Sequence, residues 1–552
     1  MLYVESHKYT QNVVLHVVDL LGERGLFVRR ASGVVRRAGA RDVFLFNSAV
    51  MNMGIAITWM LVMGPAFYPG VDIILGTLFM AFLTFFQVMA YYFLCITMPR
   101  SGGEYVYISR SLTPLLGFLL SFNIIFWNGF YYVGVSAAFG SYMGVSAFLD
   151  SFGRSVGNPT LIQIAQFASW KPWGWFVIGT LFIVVFTIII ASGLRKYFVF
   201  QTIVNVLGYI CIGIIVWLLI SSSREAFIQA FNAGLAKDIG VTYQEIISLA
   251  TQNGWSNPGF NLKNTLLFSI WPSYSLLWAY MSVSFGGEIK NVERNSFLGM
   301  LLMWAAAVVM LCVLSLLALR TIGYDFLGAI SYNYYTVPQY STPILPWLGY
   351  LALILTNNPI LIFLVGIGYM FWSSLWVITD NMYGSRSILA WGIDRVLPDW
   401  FAKVDEKRRT PTAAHFTVLV GGMLFLALLS FSPWLGIQSG SLASCFTFIA
   451  IGVSAMILPW TNKAIYEASP ASRFKVGSIP LMSIMGLCCT ITMSITTIIY
   501  ILDPVAGSST PDSITAMILV FVAAIALFYG AKYIRKRQGI DLGLLFKEVP
   551  VE

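Results

Sequence analysis

Of 552 residues, 58% are hydrophobic and 10% are charged, against about 25% charged in an ordinary soluble domain. A chain this apolar has too little polar surface to stay dissolved, which excludes a soluble globular protein and leaves the bilayer as its solvent. The net charge of +9 is no nucleic-acid footprint, because the 33 Lys and Arg do not gather on a soluble domain.

The chain opens with a tail, 1–42, whose one apolar run, "NVVLHVVDLLG", is short and broken by Asp19. That is not a signal peptide; residues 12–22 read as an amphipathic helix on the membrane surface or as an ordinary terminal helix. Twelve stretches follow, each near the ~20 residues that a spanning helix needs. They are 43–68, 73–98, 114–143, 174–192, 197–221, 264–287, 297–320, 358–385, 413–431, 440–460, 478–502 and 514–533. Runs such as "TLFIVVFTIII" are apolar all round and lack the alternation of a barrel strand, so an all-α membrane protein is predicted. The segments 222–263 and 321–357 are long enough to be lids or docking surfaces, and 534–552 is a tail.

With a cytoplasmic N-terminus, twelve spans return the C-terminus to the same side. All of the Lys and Arg then fall inside except Arg154, Lys171, Arg224, Lys237, Lys263 and Arg320. The positive-inside rule predicts that orientation, in a multi-pass protein of the cell (plasma) membrane. The six cysteines lie inside spans and the three histidines are scattered. No disulfide framework, metal site or cofactor is expected, and no nucleophile–base pair suggests an enzyme.

The stretch "PRSGGEYVYISRSLTP" (99–114) follows the second span. Pro99 ends that span, Gly102 and Gly103 allow a tight turn, and "EYVYISRSL" can form an interfacial helix with Tyr105 and Tyr107 at headgroup level. It closely resembles the signature after the second span in the amino acid–polyamine–organocation (APC) transporter superfamily. Three further segments resemble that superfamily in the same order: "SGLRKYFVFQTIVNVLG" (192–208), "GGEIKNVERN" (286–295) and "GSRSILAWGIDRVLPDWFAKVDEKRRTP" (384–411). With the spans, the resemblance covers about 40 to 535.

The resemblance implies a LeuT-type fold of 12 transmembrane helices. Two inverted five-helix repeats, 43–221 and 264–460, are followed by two further spans within 461–533. In that fold the first helix of each repeat breaks near the midplane, and freed backbone groups there can hold a carboxylate and an ammonium. The chain carries breakers at both places. The first break is expected around Met51, Asn52, Met53, Gly54 and Ile55. The second is expected at 272–277, around Pro272, Ser273, Tyr274, Ser275 and Leu276, with Trp278 or Tyr274 as an aromatic gate. Two plain kinks are the alternative. Asn128 on the third span, among aromatics, is a further candidate for substrate binding.

For coupling to H+ or Na+, a lysine that some proton-coupled relatives carry in the fifth span is absent; Gly208 stands there. Sodium-coupled LeuT-type proteins use hydroxyls of the eighth span, which makes Ser373 and Ser374 candidates; both could equally bond their own helix. Asp380 is an intramembrane acid, either an ion-coupling group or a partner of Arg386. No acid appears on spans three, six or ten, so a neutral amino acid is the expected substrate, moved by ion coupling or exchange. The alternatives are a polyamine or other organic amine, or a transporter-fold sensor or structural subunit. Oligomeric state is open.

Overall fold

The computed structural model describes residues 36–337, 345–432 and 440–546. The amphipathic reading of 12–22 therefore lies outside the described residues. In chain order, α1 (Ala40–Met51) and α2 (Met53–Phe67) make one interrupted span. α3 (Ile73–Thr97) and the short α4 (Glu104–Ser111) follow, then α5 (Pro114–Ser155), α6 (Trp173–Ala191) and α7 (Leu194–Ser221). After α8 (Ile270–Leu276) come α9 (Val292–Thr321), α10 (Pro359–Ile393), α11 (Thr412–Phe431), α12 (Gly440–Thr461), α13 (Leu481–Leu502) and α14 (Pro511–Arg537). Among the described residues eleven spans, α1 with α2 counted once, are long and apolar enough to cross a membrane. The strands there are one two-residue antiparallel pair, Lys475–Val476 with Ile479–Pro480.

Helix starts share one sequence device. Thr113-Pro114, Asn358-Pro359 and Thr510-Pro511 each put a side-chain oxygen on an orphan backbone N–H, and a proline at the first helical position where no N–H is needed. On α5, π-helical turns at Ile125–Tyr131 and Gly140–Val145 shift the register of the side chains beyond them.

The first break is a single residue. Asn52 adopts the left-handed conformation (φ 43°, ψ 63°), which asparagine tolerates better than most residues. Its side chain accepts from the Ile55 N–H at 3.3 Å and donates to the Trp372 carbonyl at 2.6 Å. The second break corrects the expectation twice. The 264–287 stretch is not one helix: Leu262–Phe268 and α8 are followed by turns at 277–280 and 3-10 turns at Met281–Ser284 and Gly286–Glu288. The unwinding also begins only at Leu277, the last residue of the expected 272–277, and runs on past it. Pro272 lies in the first turn of α8, where its missing N–H is one of the helix's unpaired donors in any case, so it opens a helix there.

The two ends of the bundle differ. At one end, helices Arg224–Ala233, Tyr243–Gln252 and Tyr324–Thr336 pack together, with the Tyr243 and Phe326 rings stacked at 4.2 Å. Trp255 ties them to α2 by donating to the Pro65 carbonyl at 3.1 Å. At the other end, the segment before α1 pairs with the unwound strand after α8. Arg37 and Ala38 N–H both donate to the Glu288 carbonyl (2.8 and 2.9 Å), and Lys290 N–H donates back to Ala38. Outward faces of α6, α7, α9 and α14 expose Leu181, Ile188, Val309, Leu519 and similar residues, as a lipid-facing belt requires.

Candidate functional site

Both breaks face the same place. A small cavity of about 10 Å³ lies between Val50 before the first break, Asn128 and Tyr132 of α5, Tyr274, Trp278 and Met281 around the second, and Trp376 and Asp380 of α10. Its volume suits about one water. A second cavity of about 100 Å³ adjoins it, bounded by Trp59, Met63, Tyr131, Trp271, Val505 and Ala506 among others. Tyr132, Tyr274 and Trp376 line both chambers, so these three rings form the partition.

Each partition member is held. Trp376 Nε1 donates to the Val50 carbonyl at 2.6 Å, satisfying an acceptor that the end of α1 leaves without a helical partner. Tyr132 meets the Ser441 hydroxyl at 3.3 Å and packs edge-on to Trp376. Tyr274 stacks on Trp271, which stacks on Trp59. Trp271 Nε1 donates to the Tyr68 hydroxyl (3.0 Å), and Tyr68 donates to Asp503 (2.7 Å). The other Asp503 oxygen accepts from the Val505 and Ala506 N–H groups, which fixes the loop bordering the larger chamber. Burial pushes the Asp503 carboxyl up from its ordinary range, against these hydrogen bonds.

Asp380 is 3% exposed and is the one carboxylate lining the smaller cavity; no Lys or Arg lines it. Of the two alternatives for Asp380, the pairing with Arg386 does not occur. Arg386 is held by Glu288, Nε to Oε1 at 2.9 Å and Nη2 to Oε2 at 3.4 Å, both side chains being buried. A bidentate carboxylate in the unwound segment outcompetes one a turn and a half away on the same helix. His415 Nε2 lies 3.2 Å from Arg386 and 2.7 Å from the Thr410 hydroxyl, which completes a closed polar layer. Nearby, Glu104 of α4 accepts from Tyr91 at 3.2 Å, with the Tyr280 and Tyr383 hydroxyls also facing it. Burial pushes its carboxyl up to about 7.

The sequence candidates divide. Asn128, Tyr274, Trp278 and Asp380 meet at the cavity. Both gate candidates line it, but only Tyr274 reaches both chambers. Met51, Asn52, Met53 and Ile55 are buried in the core around the break, and Leu276 is buried beside it. Gly54 faces Trp372: a Cβ there would sit 2.5 Å from the indole, so close packing of α2 on α10 requires the glycine. Ser273 meets the Tyr500 hydroxyl at 2.5 Å, and Ser275 is buried. Ser373 and Ser374 hydroxyls donate to carbonyls of their own helix, at Met370 and Phe371, on the face that meets Gly140 and Gly144 of α5.

Sequence reasoning missed Val50, Met281 and Trp376. Trp376 carried a signal, since it lies four residues before Asp380 and so shares its helix face. Val50 and Met281 carried none, being apolar residues in apolar runs.

No curated protein matches the chain. The amino acid permease family matches it over residues 43–524, from the first turn of α1 into α14. The protein therefore belongs to the amino acid permease family of the APC superfamily, and is a multi-pass membrane transporter of amino acids or related organic cations rather than an enzyme.

Proposed function

We propose that the protein carries a substrate bearing an ammonium group, an amino acid or a related organic amine, with Asp380 as its counter-charge. The observation that carries this is a lone carboxylate in a cavity lined by Tyr132, Tyr274, Trp278 and Trp376 and by no cation. A buried charge is costly alone and is stabilised by an opposite one, and aromatic faces favour cations. The expectation of a neutral substrate rested on finding no acid on spans three, six or ten; Asp380 reaches the same cavity from α10.

In this reading the broken 264–287 segment is the twelfth span, and 43–221 and 264–460 are the inverted repeats. The termini are cytoplasmic, and alternating access moves substrate past the Tyr132–Tyr274–Trp376 partition. The basic asymmetry of the loops supports that orientation in the plasma membrane.

A second reading is favoured by the same buried acid: Asp380 carries a coupling proton, and the substrate is a neutral amino acid. Binding and uptake measured with neutral and cationic amino acids and a polyamine, in proteoliposomes with imposed proton or sodium gradients, separate the two. If Asp380 holds the substrate, Asp380→Asn weakens ammonium binding by roughly 150- to 5,000-fold, the ~3–5 kcal/mol of stranding one member of a buried pair. If it carries a proton, Asp380→Asn keeps substrate exchange but loses pH-driven accumulation. Unchanged binding and unchanged accumulation reject both. Stimulation by sodium alone returns the coupling role to Ser373 and Ser374.

A further inference from the structure

We infer that the groove between the starts of α1 and α7 is a binding site for the headgroup of an anionic phospholipid. Four cations, Arg37, Arg41, Arg195 and Lys290, line this groove of about 440 Å³ against one carboxylate, Asp42. Asp42 is engaged within its own helix start, accepting from the Gly39 N–H at 3.0 Å. Arg41 donates to the Thr202 hydroxyl at 2.9 Å. None of the four cations is held in an ion pair with a described carboxylate. Such a concentration of like charge is unfavourable until an anion enters.

The walls decide what kind of anion. Leu194, Phe198 and Val199 give the groove an apolar side. From Val199 an exposed stripe runs down one face of α7 through Ile203, Val206 and Ile210, which are 57%, 55%, 49% and 40% exposed. Spacings of three and four keep these side chains on one helix face. A basic rim continuous with a lipid-facing apolar stripe matches a phosphodiester with its acyl chains, and basic pockets between spanning helices recognise such headgroups. A free phosphate would leave the stripe unused.

The groove shares no lining residue with the Asp380 cavity, so the test needs no transport assay. Native mass spectrometry of the purified full chain would count bound phosphatidylglycerol against phosphatidylcholine of the same acyl length. The protein is expected to retain phosphatidylglycerol preferentially. Arg37→Gln with Arg195→Gln and Lys290→Gln should weaken that retention by about a hundredfold, at roughly fivefold per cation. Lys463→Gln with Lys475→Gln, exposed cations elsewhere at the same end, should leave it unchanged. Equal retention of the two lipids by the native chain overturns the inference, as does undiminished selectivity in the triple variant. Should the triple variant fail to fold, thermal unfolding of the native chain decides. A rise in melting temperature with phosphatidylglycerol but not with phosphatidylcholine or glycerol phosphate supports the site. An equal rise with glycerol phosphate assigns the groove to a free anion and overturns it.

Discussion

Glu104 shows how one residue can record its surroundings. Its carboxyl sits among Tyr91, Tyr280 and Tyr383, and burial raises it from 4.5 to about 7 despite the hydroxyls that favour its charge. Because the folded value is the higher, the folded protein holds this proton between pH 4.5 and 7 while the unfolded chain releases it. The stability so contributed is fully present below 4.5 and lost as pH rises through 7. Glu104→Gln should flatten that part of the stability profile, read as melting temperature in detergent from pH 4.5 to 8. A profile with the same slope in the variant would assign the slope to another group. The sequence placed Glu104 only in an interfacial helix, since nothing in "GGEYVY" tells that three tyrosines from α3, α10 and the second break converge on it. Asp380 was legible because an acid inside an apolar run is conspicuous wherever it points. The Trp372 indole against Gly54 was not legible, because a glycine beside a break looks the same whether it admits a ligand or an indole.

At the scale of elements, the two breaks use different chemistry. The first depends on Asn52, whose left-handed backbone is stabilised by side-chain bonds to Ile55 and Trp372. Asn52→Gly keeps the conformation and loses the bonds; Asn52→Ala loses the bonds and adds about 1–2 kcal/mol of backbone strain. Thermal unfolding should therefore rank the native chain above the glycine variant and that above the alanine variant. An alanine variant as stable as the glycine one would mean that the helix straightens through position 52. The second break was legible in existence but displaced in position. Proline signals a missing donor, and sequence cannot tell whether that donor is wanted until the helix start is known. Span positions were legible because about 20 apolar residues in a row have few other fates; the interior of 264–287 was not, because its unwinding is satisfied by tertiary partners such as Asn47, which accepts from the Ser282 N–H at 3.2 Å.

At the scale of the whole molecule, the end carrying the N-terminal segment is closed by buried charge. Glu288–Arg386 and Arg110–Asp394 each join elements distant in sequence, at 2.9 and 2.7 Å. Removing one partner strands the other, at a cost of about 3–5 kcal/mol. Glu288→Gln should lower the melting temperature and also raise the labelling rate of Cys95, which is fully buried at this end beside Ser296, by a water-soluble maleimide. Lowered stability with Cys95 still protected would make the pair a fastening of the fold and not of this closure. Family membership was legible from four stretches in order, whereas these pairings were not, because each unites residues some 98 to 284 positions apart.

Glu288 is also the residue whose carbonyl receives both Arg37 and Ala38, while its carboxylate grips Arg386. One residue thus knots the leading arm of the chain to the last two turns of α10. A tug on the arm is delivered, two bonds later, to the guanidinium that locks this end.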